Sequence, residues 1–378
     1  MATSVETGAT GIFTPEQEEL RTSAKRFLEE KSKSEVVRQL METDTGFDEG
    51  TWKQMADLGW VGIHIPEEYG GVGYGFIELS VLLEEMGKKL LCAPFLSSAV
   101  LGAVAVLHGA TDEQKKKILP GIADGTTRAT LAFVEDTGRW DAEGIQLKAE
   151  KKGSDYVLSG VKSYVVDGHT ANLLIVAART GSGISFFSVD PDADGVTRTR
   201  LDTLDWTRKQ AKVEFSGTKA ELLGKEGEGA AALSKTLDLA AVALSNECIG
   251  GAQFCLDQSV DYAKTRIQFG RPIGSFQAIK HKCANVLMEV EMGRSAAYYA
   301  AWAAAEDDEE LPVVASLAKA YCSEAFFHAA AENIQIHGGI GFTWEHDAHL
   351  YFKRAKSNEI YLGDGTYHRE LLAQRIGV

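Results

Sequence analysis

The sequence predicts an α+β multi-domain protein: an N-terminal helical domain, a small middle β domain and a C-terminal four-helix bundle. Three observations carry this. Helix caps and helical periodicity run through the first third of the chain. Short β-rich runs divided by Gly and Asp turns follow it. Long alanine- and leucine-rich stretches then fill the rest. The expected boundaries are residues 1–128, 129–226 and 227–378.

The N-terminal domain opens at Thr14-Pro15-Glu16-Gln17, an N-cap with proline in the first turn and a capping-box Gln. Phe27 and Leu28 continue an apolar stripe. Trp52–Ala56 leads to Leu58-Gly59-Trp60, Glu67–Gly71 reads as a glycine-rich loop, and Ile77–Leu91 is again periodic helix. Leu90–Thr111 carries no charged residue and is long enough to span a bilayer. Pro94, Ser97 and Ser98 break it, so it reads as a loop and a fully buried helix. Thr111–Gln114 is a second capping box.

From Ala129 the period changes. Thr130–Val134, Tyr156–Gly160, Leu173–Ala177, Ile184–Val189 and Ala211–Phe215 are β-rich runs at near-regular spacing. From Gly229 onward Ala230–Leu256, Ala278–Ala305 and Pro312–Gly338 have the lengths of bundle helices.

Composition narrows the function. The chain has 378 residues, 44% hydrophobic and 25% charged, with formal net charge −15. That acidity argues against nucleic acid, which needs a broad basic face. Cys92, Cys248, Cys255, Cys283 and Cys322 form no CxxC and no Cys/His metal spacing, so reduced thiols and a cytoplasmic location are expected. Met1–Ile12 lacks the cationic start and apolar run of a secretory signal.

Against this acidic background, Tyr262–Lys282 holds Lys264, Arg266, Arg271, Lys280 and Lys282 and no acidic residue. An Arg fork reads phosphate oxygens in a bidentate way. Read as one helical turn, Arg266 and Phe269 set a charge beside an aromatic face, as a nucleotide requires. Gly338-Gly339-Ile340-Gly341 is a second place where backbone N–H groups can meet an anion, or else a helix C-cap.

This architecture, together with RIQFGRPIGSFQAIKH, the segment Gln335–Trp344 (QIHGGIGFTW) and the tail Tyr361–Leu371 (YLGDGTYHREL), resembles the acyl-CoA dehydrogenase family over essentially the whole chain. The resemblance implies FAD at a subunit interface and oxidation of an acyl-CoA thioester to the 2,3-enoyl-CoA. It also implies electrons passed to an electron-transfer flavoprotein, and a homo- or hetero-tetramer with another such subunit. It places Arg266 on the FAD pyrophosphate, Phe269 and Gln277 on the adenosine half, and Gln335, Gly338 and Gly339 against the dinucleotide of a neighbour. Thr366 joins the cofactor-binding set. A bulky acyl group such as a steroid side chain is the implied substrate.

The chain also departs from the family. Where many members have Glu-Gly-Thr, it reads Asp364-Gly365-Thr366, and Asp is one methylene shorter. At the other base position, on the first bundle helix, it has Ala240, with Glu247 two turns further along. Glu247 is a lone carboxylate in an apolar run, costly to bury without a role or a partner. Glu247 and Asp364 are therefore both candidate bases. Around the flavin ring, Val134, Arg139-Trp140, Tyr164 and Val166 replace the family's polar contacts and its Trp. A chain that keeps the adenosine side and blurs the ring side is expected to share each FAD with an unlike subunit. Two other readings stay open: a silent partner that completes a neighbour's FAD site, and a nitroalkane-oxidase-like flavin oxidase using Asp364.

Overall fold

The computed structural model describes residues 13–153 and 155–378. The Met1–Ile12 reading lies outside them. Six helices come first: α1 (Pro15–Lys31), α2 (Ser34–Glu42), α3 (Glu49–Asp57), α4 (Phe76–Lys88), α5 (Ala103–Gly109) and α6 (Asp112–Ala123). Both predicted capping boxes form. Thr14 accepts from Gln17 N while Gln17 reaches back to Thr14 N, and Thr111 and Gln114 do the same. Gln114 also accepts from Gly224 N and donates to Leu222 O, tying α6 to the β unit. The apolar stretch from Leu90 is core. Leu96–Gly102 is a buried π-helical turn that runs into α5.

Seven strands form the middle unit: β1 (Ala129–Ala132), β2 (Lys148–Lys152), β3 (Asp155–Val166), β4 (Leu173–Thr180), β5 (Gly183–Val189), β6 (Val196–Arg200) and β7 (Gln210–Leu223). Pairings β4–β2–β3–β7–β5–β4 close into a ring, with β1 added parallel to β4 and β6 antiparallel to β7. Its interior packs Leu158, Leu174, Val176, Phe187 and Val213 into a core of their own. The strands β3 and β7 run longer than the sequence indicated. Gly160 and Gly217 lie within them, and both are accommodated at positive φ near register shifts.

The C-terminal unit holds α7 (Gly229–Thr265), a two-residue hairpin of β8 (Ile267–Gln268) and β9 (Arg271–Pro272), α8 (Gln277–Ala305), α9 (Leu311–His337), α10 (Ala348–Ile360) and α11 (Gly365–Arg375). The helices α7, α8 and α9 pack together, and the shorter α10 and α11 share the fourth place against α9. α4 crosses α7 at backbone contact. A Cβ on Gly87 would lie 2.1 Å from the Glu247 carbonyl oxygen, and one on Gly250 would lie 1.9 Å from that of Glu84. Glycine is therefore required at both points. Among the described helices, α7 is long and apolar enough to cross a membrane by composition, yet 89% of that window is buried inside the protein.

Candidate active site

A cleft of about 760 Å³ opens between the loop after β1, the first turns of α7, and α11. Its apolar wall includes Trp140, Leu233, Leu237, Leu362 and Leu371. Trp140 packs edge-on to Tyr361, at 5.4 Å between ring centroids, and 6.0 Å from Phe133. The loop that the resemblance assigns to the flavin ring is therefore part of this wall. Val134 and Val166 are buried and bring no side-chain donor. Tyr164 sits at φ 54°, half exposed.

Leu362 reaches the cleft through a strained turn. It has φ 65°, rare for a branched residue, and Gly363 follows at φ 99°. Two buried side chains hold the turn. Lys319 of α9 donates to Gly363 O at 2.8 Å and Glu359 O at 3.2 Å, and His368 bonds Leu362 O at 2.9 Å. Burial brings the Lys319 ammonium down to about 8 and the His368 imidazole to about 3, so the histidine is neutral.

Neither carboxylate singled out from the sequence lines this cleft. Glu247 is 4% exposed and is the hub of an ion network joining β unit, α7 and α10. Arg208 and Arg354 (3.0 Å) both donate to it, and Asn358 does so at 3.1 Å. Arg354 also binds Asp205 at 2.7 Å and Thr207 at 2.6 Å. Burial pushes the Glu247 carboxyl up, but the two guanidiniums overcome it and bring it to about 2. Both oxygens are committed to these donors, so Glu247 stands as the centre of a buried ion network. Asp364 is exposed and is the N-cap of α11, accepting from Tyr367 N at 2.8 Å. Thr366 is exposed in the same first turn.

The residues expected to hold the adenosine side gather at the far end of α7. Arg266 is its C-cap, with extended backbone, so Arg266 and Phe269 are not one helical turn apart as the sequence indicated. Phe269 (φ 53°) and Gly270 (φ 76°) form the tip of the β8–β9 hairpin, a type I′ turn. The Phe269 ring is 89% exposed, and the Arg271 guanidinium lies 4.1 Å over Phe276. Gln277 begins α8 and is exposed, as is Gln335. A Cβ on Gly338 or Gly339 would meet nothing within 4 Å, so this backbone faces open space. Among the described residues Lys264, Arg266, Arg271 and Lys280 pair with no carboxylate, while Lys282 pairs with Glu332. Unpaired cations, an exposed ring and accessible backbone fit the phosphate and flat base of a dinucleotide. At about 1.5 Å per residue, the cleft end and the hairpin end of α7 lie roughly 40 Å apart.

Comparison with known proteins defines the class. The sequence matches the acyl-CoA dehydrogenase N-terminal domain over residues 14–126, the middle domain over 130–217 and the C-terminal domain over 227–377. The chain belongs to the acyl-CoA dehydrogenase family, flavin-dependent oxidoreductases that take acyl-CoA thioesters to 2,3-enoyl-CoA. It is similar to the probable acyl-CoA dehydrogenase YngJ of Bacillus subtilis, at 34% identity over 96% of this chain and 98% of that one. Among solved structures, the Tcur3481–Tcur3483 steroid ACAD matches with TM-score 0.86 and 30% identity, covering 96% of this chain and 97% of that one. The ChsE4–ChsE5 complex of Mycobacterium tuberculosis matches with TM-score 0.87 and 27% identity, covering 96% and 98%.

Proposed function

We propose that this chain is a subunit of an oligomeric, FAD-dependent acyl-CoA dehydrogenase in which each FAD site is built from two chains. The observation that carries this is the separation along α7. The ring-side loop and the cationic hairpin belong to opposite ends of one helix, too far apart to share one dinucleotide. Arg266, Phe269, Gln277, Gln335, Gly338 and Gly339 of one chain would hold the pyrophosphate and adenosine of an FAD whose ring enters a neighbour's cleft. Thr366, exposed in the first turn of α11, precedes the cleft-lining Tyr367 and would join the cofactor-binding set. FAD bound there supplies the acceptor for the β hydride. The chain's own groups enclose the thioester in an apolar wall, exclude water and accept the α proton. α8 offers the surface for assembly, because Leu287, Met288, Met292, Tyr299 and Trp302 form one stripe, each between 42% and 56% exposed.

A bulky acyl-CoA, such as one bearing a steroid side chain, is the favoured substrate. The size of the cleft and the similarity to a steroid ACAD support it. An electron-transfer flavoprotein would take the electrons. Glu247 serves as a buried anchor and Asp364 as a helix cap. The proton-accepting role then falls to a carboxylate that faces the cleft. A nitroalkane-oxidase-like reaction would need Asp364 as its base, and Asp364 is the exposed N-cap of α11, outside the cleft lining.

A second reading has one observation behind it. Trp140 fills space between Phe133 and Tyr361, and Val134 and Val166 offer the ring edge no side-chain donor. On that reading the chain completes the FAD site of an unlike subunit and turns over nothing in its own cleft; its similarity to a chain of the ChsE4–ChsE5 complex supports a two-component assembly.

The test is the visible spectrum of the chain purified alone and with a co-expressed family partner, before and after acyl-CoA. A flavin band that bleaches in the chain alone supports a self-sufficient oligomer. Colour only with the partner supports the second reading. A colourless protein in both cases overturns the FAD assignment.

A further inference from the structure

Four carboxylates line the cleft: Asp141, Glu143, Asp238 and Glu370. Three are engaged at its solvent edge. Asp141 caps a short turn through Gly144 N at 3.0 Å and pairs with Arg139. Glu143 is 79% exposed and pairs with the same arginine. Glu370 is exposed and accepts from Gln374. Asp238 differs. It sits near the start of α7, 7% exposed, in the floor of the cleft. Its Oδ1 accepts from Arg375 Nη2 at 2.7 Å, and among the described residues its Oδ2 accepts from none. Arg375 is itself fixed, donating to Pro312 O and, at 2.8 Å, to Ser316 Oγ of α9.

We propose that Asp238 is the carboxylate of this cleft that accepts the α proton of a bound thioester. The proposal rests on the acyl-CoA reading above. One α C–H bond of the thioester breaks. Its proton goes to Asp238 Oδ2, and its electron pair passes into the enolate, with charge on the thioester oxygen. Arg375 holds the carboxylate in place through the other oxygen. The surroundings suit the task. Burial raises the Asp238 carboxyl to about 6, against the opposing pull of Arg375 and of Lys235 on its own helix. A carboxylate there is ionised at neutral pH yet basic enough to take a proton. Among the described residues, the other charged or titratable groups lining the cleft are Tyr367, His368 and Glu370 of α11 and Arg139, Asp141 and Glu143 of the loop. His368 is neutral, and the Arg139–Asp141 pair is self-compensated.

Proton abstraction can be read without turnover. Phenylacetyl-CoA has two acidic α hydrogens and no β hydrogen to transfer. Incubated in D2O with the FAD-loaded assembly, it would gain deuterium at the α carbon, measured by mass spectrometry, with binding measured by calorimetry. The wild-type exchange rate is expected to rise with pH through about 6. Asp238→Asn keeps an acceptor for Arg375. It is expected to slow exchange about 100-fold or more while the dissociation constant and melting temperature hold. Arg375→Gln is expected to move the pH midpoint upward, since it removes the main cation opposing burial. Exchange at the wild-type rate in Asp238→Asn would overturn the assignment. So would exchange lost in Asp364→Asn and kept in Asp238→Asn, or a wild type that binds without exchange. A wild type that fails to bind the thioester at all overturns the acyl-CoA reading beneath it.

Discussion

Replacing Glu247 by Gln removes the carboxylate that pairs directly with both Arg208 and Arg354 across the junction of three units. Breaking a buried pair from one side strands the opposite charges and typically costs about 3–5 kcal/mol. The expected result is a loss of that order in urea unfolding of the intact assembly, with any protein that still folds keeping α-proton exchange. A catalytic base would give the reverse: unchanged stability and lost exchange. The sequence marked Glu247 as unusual because it stands in an apolar helix, and it is buried. What the sequence withheld was its company. Arg208, Arg354 and Asn358 lie 39, 107 and 111 residues away. The same criterion, a lone carboxylate in an apolar run, also applies to Asp238 in LDLAAVAL. Asp238 lies nine residues into α7, and nothing local in the sequence shows that Arg375, 137 residues away, folds over it.

At the level of elements, the β8–β9 hairpin is the part most directly open to test. Arg266→Ala removes one charged donor from an exposed corner and touches no core. It is expected to weaken FAD binding by about 1.5–3 kcal/mol, roughly 10- to 100-fold, with the thermal midpoint of the cofactor-free protein unchanged. Fluorescence titration of the cofactor-free assembly with FAD would check this, and an unchanged affinity would remove the hairpin from the cofactor site. The cationic content of this segment was legible from the sequence, but its shape was not. Gly270 and Pro272 signalled a helix stop, but a two-residue ladder gives no periodicity to read. Strand β6 was missed for a related reason. Val196–Arg200 is partly exposed along its length and alternates too weakly to resemble a core strand. The long helices were legible because apolar runs of that length have few alternatives to burial in a bundle.

Across the whole molecule, two buried glutamates predict acid behaviour. Glu84 lies beneath Arg21, at 2.9 Å, together with Arg294 and Lys88, and Tyr298 donates to it at 2.6 Å. Burial raises its carboxyl, and those charges outweigh burial and bring it to about 2, as in Glu247. A folded value below the ordinary 4.5 means that the unfolded chain binds more protons in that interval. The stabilisation is therefore complete above about 4.5 and is lost as pH falls toward 2. Asp167 and Asp238, raised by burial to about 6, act the opposite way between 3.8 and 6. Unfolding free energy is expected to drop by a few kcal/mol between pH 4.5 and 2. Glu84→Gln should flatten that slope. Denaturant titrations at stepped pH measure both. The three-unit order was readable from period changes alone. The networks that bind the units together were not, because each joins arginines to a glutamate between 39 and 210 positions away, beyond the reach of any local pattern.

The length of α7 has one more implication. A loop insertion is absorbed locally, but a residue added inside this helix would turn everything beyond it by about 100° and advance it by about 1.5 Å. The cleft and the cationic hairpin would then fall out of phase. Each could remain perfect in itself while facing the wrong direction for its neighbour. Under the proposed two-chain FAD site, α7 works as a gauge. Its residue count between Asp238 and Arg266 fixes the phase of the cleft against the hairpin, whatever the stability of the single chain.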